Sequence, residues 1–455
     1  MFARAGQTAD NSPMPRRPLP HTVTLLATLA LAACRPLPAK PDGTATAIEA
    51  PAATGPHPAN PGPGSPDVLR GPPLAGIRKE PQLRIRIQAN LTGIRIGRGP
   101  TLISTDAKAQ PHTFTGPLQV TRQGAGFILT DAKGARWTWA APLLVARAPQ
   151  GAMSVGTQTY QGTVELAARG PSGMDLINDL PLEAYLPGVL AKELYTSWQP
   201  EAYRAQAITA RSYAIWEMTK RRAEGRAFDL EAGEASQAYV GVTGNAKANQ
   251  AVAATRGVVL TYDNRVLPAF YSACAGGAAQ DAVFAFPNRV ADLPPLRGHP
   301  TGTAAAICPR FNWPTLARDK NDTLRRLAAW GAAEKHPVAG LRSLQAARVS
   351  GLSRSNRPAM FELTDDQGRV FALSCEDFRL ALNGGTPAIP AEKRLLSSFC
   401  SVRVSGTQLL FENGHGHGHG VGLEQWGAEG MAQKGQKAEA ILGAYYPGAV
   451  LQRAY

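Results

Sequence analysis

The 455-residue chain is 44% hydrophobic, enough to exclude a wholly disordered protein and long enough for roughly two domains. Lys and Arg outnumber Asp and Glu by 48 to 34, a formal charge of +14 that favours an anionic partner such as nucleic acid, anionic lipid or cell wall. The main basic cluster, Lys220-Arg-Arg222, reads as the solvated end of a helix, so a nucleic-acid partner is not expected.

The N-terminus points to export. Arg16 and Arg17 precede a mainly apolar stretch, Val23 to Ala33, that ends Leu31-Ala-Ala-Cys34. A basic segment, an apolar run and small residues directly before a cysteine resemble a bacterial lipoprotein signal over residues 1–34, with Cys34 as the lipidated first residue of the mature chain. Met14 is an alternative start. An ordinary signal peptide with an incidental cysteine and a short buried helix are the other readings, and the run is too short for a comfortable membrane span. Residues 35–80, rich in Pro, Ala, Gly and Thr, lack the apolar surface to offset ordering entropy and read as a semi-extended tether. The expected location is the cell envelope, lipid-anchored and facing the periplasm or wall.

From Gln82 to about Asn178 the pattern alternates with period two, as in Leu83-Arg-Ile-Arg-Ile87, Gly126-Phe-Ile-Leu129 and Gly162-Thr-Val-Glu-Leu166, which predicts short strands and a β-rich subdomain over 81–178. Residues 179–455 follow as the core domain. Pro200 to Arg222 switches to helical spacing through Ala202, Ala205, Ile208, Tyr213 and Trp216, with Pro200 suited to the first turn. A hairpin is predicted for 257–262 and 266–271 around Asp263-Asn264, a helix for 319–333, and strands for 347–351, 360–364 and 370–373. Helices interrupting mostly antiparallel strands make the fold class α+β.

Cys274, Cys308, Cys375 and Cys400 form an even set in an exported chain, where disulfides persist. Cys274–Cys308 with Cys375–Cys400 is the most local of three connectivities. No Cys-x-x-Cys is present, so a cysteine-only metal site is weakly supported. Glycines crowd the tail Gly418-His-Gly-Val-Gly-Leu-Glu-Gln-Trp-Gly-Ala428, where apolar neighbours such as Val421, Leu423 and Trp426 argue for a core segment with a defined backbone path.

Three further segments, Asn178 to Leu194, Arg204 to Tyr213 and Ser236-Gln-Ala-Tyr239, together with that tail, resemble the SpoIID/LytB family from about residue 160 to Tyr455. The resemblance implies an SpoIID-like core and a cell-wall activity, either a lytic transglycosylase acting on peptidoglycan glycan strands or a non-catalytic enhancer of an N-acetylmuramoyl-L-alanine amidase. The family's Gly-Val-Val-x-x-Glu-Met stretch is here Gly188 to Leu194, which makes Glu193 the candidate acid and base. Flanking residues Leu190, Leu194 and Tyr195 would raise its pKa by desolvation, although a helix-terminal or salt-bridged Glu fits the same residues. Glu183, beside Pro181, suits a helix first turn and a structural role.

Arg211 is read either as a carboxylate-binding residue or as a buried Arg on backbone carbonyls. Ser236, Gln237 and Tyr239 are candidate cleft residues, and His419 with Gln425 are candidate substrate contacts. His415, His417 and His419 would share one side if the tail were extended, which invites a metal reading. Where relatives carry His-Ser-Thr-Cys-Gly-Gly, this chain has Tyr271-Ser-Ala-Cys-Ala-Gly-Gly277, without the His and with the cysteine displaced, so disulfides are expected in place of zinc and no cofactor is expected.

Overall fold

The structure, a computed structural model, describes residues 69–104, 110–233 and 236–455. The expected signal, Cys34 and most of the expected tether lie outside the described residues. Residues 71–74, read as tether, instead dock on the chain: Val266 N–H donates to Pro72 O at 2.9 Å and Leu74 N–H to Asn264 O at 2.9 Å. Leu69, buried beside them, supplies the apolar anchor that the tether composition obscures.

Among the described residues the first folded part is an eleven-stranded sheet. Its main path runs Leu230–Glu231, Gln82–Leu91, Gly173–Pro181, Gln158–Arg169, Leu143–Val155, Gly93–Ile96, Leu118–Gln123, Gly126–Thr130, Arg136–Trp139, with Thr101–Ser104 and His112–Phe114 branching from Leu143–Val155. Neighbours are antiparallel except Leu230–Glu231, which joins Gln82–Leu91 in parallel. The alternation read from the sequence is the burial alternation: Leu83 and Ile85 are fully buried, and their Arg neighbours are not.

Strand Gly173–Pro181 runs directly into the helix Leu182–Glu193, with Pro181 in extended conformation at its N-cap. Gly188 lets this helix approach the following loop, because a Cβ there would lie 2.3 Å from the Gly241 carbonyl oxygen and 2.7 Å from the Tyr239 ring. The expected long helix is Pro200–Ala223, buried on nearly all sides up to Met218. Alanines at 202, 205, 207, 210 and 214 let its neighbours approach closely, which suits a helix packed on every face.

The predicted hairpin is shorter than its sequence pattern. Val258–Tyr262 pairs with Arg265–Val266 only, turning through Asp263 and Asn264 at φ 52° and 54°, and Val450–Arg453 covers its other edge. Pro268 has no N–H with which to extend the ladder, and Tyr271–Ser272 pairs in parallel with Leu423–Glu424 instead. The helix Lys320–Glu334, capped by Asp319, and the antiparallel strands Ala346–Leu352, Pro358–Thr364 and Val370–Ser374 lie close to their predicted positions.

The four cysteines of the expected disulfides, Cys274, Cys308, Cys375 and Cys400, are buried free thiols in this structure. Cys274 and Cys308 do meet in one small apolar cluster and share a hydrogen bond, which together with burial pushes the Cys274 thiol up. Cys375 is engaged elsewhere, accepting from the Gln280 amide at 3.4 Å and facing the Phe284 carbonyl at 3.5 Å.

A buried ion pair joins the two main helices. Arg211, fully buried, donates through Nε and Nη2 to the Glu183 oxygens at 2.8 Å each. The Gly257 N–H and the Tyr455 hydroxyl donate to Glu183 Oε1 as well. Burial acts to raise the Glu183 carboxyl, but Arg211 and these further donors outweigh it and hold the carboxyl below its ordinary value. The stabilisation is therefore complete above the unfolded-state value of about 4.3 and is lost as pH falls through the lower folded value. Arg211→Met, which leaves Glu183 buried without its partner, should lower the unfolding free energy at pH 7 by about 3–5 kcal/mol in urea titrations, and should remove the Glu183-linked loss of stability in acid. An unchanged urea midpoint would show that the pair is dispensable.

Candidate active site

Glu193 is the last residue of its helix, where the dipole disfavours a carboxylate, and its side chain is partly exposed. Two donors face it from distant parts of the chain. Ala238 N–H reaches Oε1 at 3.1 Å, and the Gln425 amide, on the first residue of the helix Gln425–Gln433, reaches Oε2 at 3.1 Å. Desolvation raises the Glu193 pKa, opposed in order by Gln425, Ala238 N–H, the Tyr271 hydroxyl and the Lys192 charge, and the upward shift prevails.

The donors are themselves fixed. Gln237 is buried, accepts from the Tyr185 hydroxyl at 3.3 Å and donates to Ala210 O at 3.2 Å, which holds the segment carrying Ala238 against both helices. Gln425 follows Leu423–Glu424, the strand paired with Tyr271–Ser272. Glu424 braces that turn by accepting from Ala275 N–H at 2.6 Å and from the Tyr445 hydroxyl at 3.2 Å. Tyr271 thus enters the site from the neighbouring strand. Its hydroxyl interacts with Glu193 and Gln237 without closing a hydrogen bond of standard geometry, and burial followed by the Glu193 charge keeps it protonated, well above the ordinary phenol range. Ser236 Oγ, also buried, faces Tyr213 in the same way.

Aromatic rings follow Glu193 and Gln425 closely in sequence and meet one another. Tyr195, two residues after Glu193, lies with its ring 5.5 Å from Trp198 and 5.6 Å from Trp426, and the two indoles meet edge to face at 5.0 Å. Trp198 is buried as the base, whereas Tyr195 and Trp426 keep partial exposure. A carboxyl whose pKa is raised by burial, beside amide donors and a phenol that stays protonated, can donate a proton to a neutral polyhydroxylated substrate and take one back more readily than an ordinary carboxyl.

The structure brings Glu193, Gln237, Ser236 and Gln425 together and separates the other candidates from them. Arg211 is buried in its bonds to Glu183 and to the carbonyls of Ala207, Val252 and Val258, so its guanidinium offers nothing to a substrate. Tyr239 is buried too, its hydroxyl on Asn178 at 3.0 Å and its ring against Tyr160 and Tyr185. The three tail histidines do not share a side, because Gly416, Gly418 and Gly420 between and after them take φ of 75°, 97° and 75° and the segment is not extended. His415 bonds Asn312 at 2.7 Å, and the His417 backbone pairs with Cys274. The His419 ring packs on Phe270 and Phe286, and burial pushes its pKa down to about 3, so it is neutral, with Nδ1 accepting from Val421 N–H at 3.0 Å. Among the described residues no group of three or more His, Cys, Asp or Glu side chains is arranged to hold a metal ion.

Sequence reasoning placed Tyr195 beside Glu193 but missed Tyr271, Tyr185 and the meeting of Tyr195 with Trp198 and Trp426 as site components. The available signal was adjacency: Tyr195 and Trp426 stand within two residues of Glu193 and Gln425.

Comparison with known proteins covers part of this site. The sequence model described as Stage II sporulation protein (SpoIID) matches residues 171–262, which take in Glu193 and Gln237 and stop before Tyr271 and Gln425. An uncharacterised protein of Brachyspira hyodysenteriae is 31% identical over 277 residues, 60% of this chain and 67% of its own length. The amidase enhancer of Bacillus subtilis is 25% identical, with 58% of this chain matching 40% of that protein. Stage II sporulation protein D of the same species is 24% identical over 61% of this chain and 76% of its own.

Removing a donor should move the carboxyl further in the direction burial already drives it. Gln425→Leu is expected to raise the Glu193 pKa above its wild-type value in carbon-13 carboxyl titrations. A downward or absent change would mean that the 3.1 Å contact does not act on the acid.

Proposed function

This chain belongs to the SpoIID/LytB family, and from that premise we propose that it cleaves peptidoglycan glycan strands by lytic transglycosylation with Glu193 as the single acid and base. The observation that carries the reading is the state of Glu193: a desolvated carboxyl with a raised pKa, acted on by Gln425, Ala238 N–H, Tyr271 and Lys192, none of them a second carboxylate.

Protonated Glu193 donates to the glycosidic oxygen as the bond from that oxygen to the muramoyl C1 breaks, and the Glu193 carboxylate so formed is stabilised by Gln425 and the Ala238 N–H. The same carboxylate then takes the proton of the muramoyl C6 hydroxyl, whose oxygen closes on C1 to give a 1,6-anhydro ring. No water is consumed, and Glu193 ends as it began. A hydrolytic glycosidase usually pairs two carboxylates, one of them to activate water or form a covalent intermediate; here the nucleophile belongs to the sugar. Tyr195 and Trp426 offer ring surface to the saccharide, and Tyr271 is a donor that stays protonated.

The chain is proposed to act in the cell envelope, anchored through Cys34. The likeness to an amidase enhancer supports a second reading, a wall-binding helper of an amidase. Both readings are separated by incubating the purified protein with glycan strands stripped of their stem peptides and analysing the products by mass spectrometry. Wild type should yield fragments ending in 1,6-anhydro-N-acetylmuramic acid, and Glu193→Gln should lower their rate by about 10²- to 10⁴-fold, the range for one general acid/base. Wild-type turnover by Glu193→Gln would remove the assignment. Absence of anhydro products, together with stimulation of an added amidase, would favour the helper.

A further inference from the structure

The outermost strand of the large sheet, Arg136–Trp139, pairs on one side only, with Gly126–Thr130. An edge strand is usually blunted by charge or covered. This one carries Trp137 and Trp139, two apart and so on one face, both half-buried although the core beside them is already filled by the fully buried Leu118, Val120, Phe127 and Leu129. Their rings continue a row across the branching strands: Trp137 meets Phe114 at 4.9 Å, and Trp139 meets Phe114 at 6.3 Å and His112 edge to face at 5.3 Å. Trp139 is thus braced by two rings.

Beside it opens a cleft of about 330 Å³ lined by Ser104, Gln110, His112, Thr138, Trp139 and two alanines. That volume lies at the low end of small-molecule sites, of the order of one or two sugar rings. Among the described residues its lining has no Asp, Glu, Lys or Arg. What it offers is an indole, an amide, two hydroxyls and an imidazole, groups that between them donate and accept hydrogen bonds next to an aromatic ring. A pyranose has the complementary make-up, with an apolar C–H face and a rim of hydroxyls and acetamido groups.

We propose that this cleft is a second carbohydrate site, separate from Glu193, that holds a neutral N-acetylated pyranose of a glycan strand against Trp139. The choice of occupant rests on the proposed function, but the binding itself needs no catalysis. A strand gripped at both the sheet edge and the Glu193 cleft would leave it less readily than one held at a single site.

The test uses the full chain carrying Glu193→Gln, with nitrogen-15-labelled indoles, titrated with the β-1,4-linked tetramer of N-acetylglucosamine. The Trp139 indole resonance, assigned by its loss in Trp139→Phe, should shift saturably, and Gln110→Ala, which alters an exposed side chain, should weaken that saturation roughly fivefold, the effect of one hydrogen bond. A Trp139 resonance that stays fixed overturns the proposal, whether or not Trp198 and Trp426 respond. If Trp139 moves while Trp198 and Trp426 do not, the second site stands and the reading of the Glu193 cleft is what fails.

Discussion

Glu183 gathers donors from widely separated parts of the sequence: the guanidinium of Arg211 from the long helix, the N–H of Gly257 before the Val258–Tyr262 strand, and the hydroxyl of Tyr455. Its own N–H is held by the Glu80 carboxylate, just ahead of the first long strand. A buried pair of this kind adds little net stability over an apolar substitute, but it penalises every arrangement in which one partner lacks the other. That penalty fixes the register of the helix Leu182–Glu193 against the helix Pro200–Ala223. The sheet, the central helix and the C-terminus are aligned through it.

The same helix then carries two carboxyl groups into opposite environments. Glu183 sits in the first turn, where the helix dipole favours a negative charge, and is saturated by a full positive charge. Glu193 is at the other end, where the dipole opposes ionisation, and is met only by neutral donors apart from the more distant Lys192. One is driven below the ordinary carboxyl pKa and the other above it. Environments that push two like groups apart suit them to different roles, the lowered one to a structural ion pair and the raised one to the acid proposed above. The glycine-dense tail supports the second of these by letting the backbone turn at alternate residues and deliver Gln425 to Glu193 from the far end of the chain.

Much of this was legible in the sequence where a local period governs the structure. The alternation at Leu83 and Ile85, the helix from Pro200 and the Asp263-Asn264 turn each follow from neighbours a few residues apart. Glu193 and Gln425 were legible through family motifs, though not their meeting. The failures came from side chains whose surroundings are set by distant segments. Tyr239 has the chemistry of a sugar-binding residue, but Asn178 claims it inside the core, and Arg211 takes the buried one of its two readings with Glu183 as an unforeseen partner. The tail histidines looked periodic because glycines separate them, and those same glycines break the extended path that the period assumed. Tyr271 was visible only as a missing His, since nothing near it in sequence shows that its strand lies beside the one leading to Gln425.

The central claim is that one carboxyl suffices because the substrate's own C6 hydroxyl, and not water, attacks C1. Cleavage of purified glycan in water enriched in oxygen-18 tests this most directly. The account predicts new chain ends that are 1,6-anhydro sugars carrying no heavy oxygen. New reducing ends that each contain one oxygen-18 atom would show that water is the nucleophile and would contradict it.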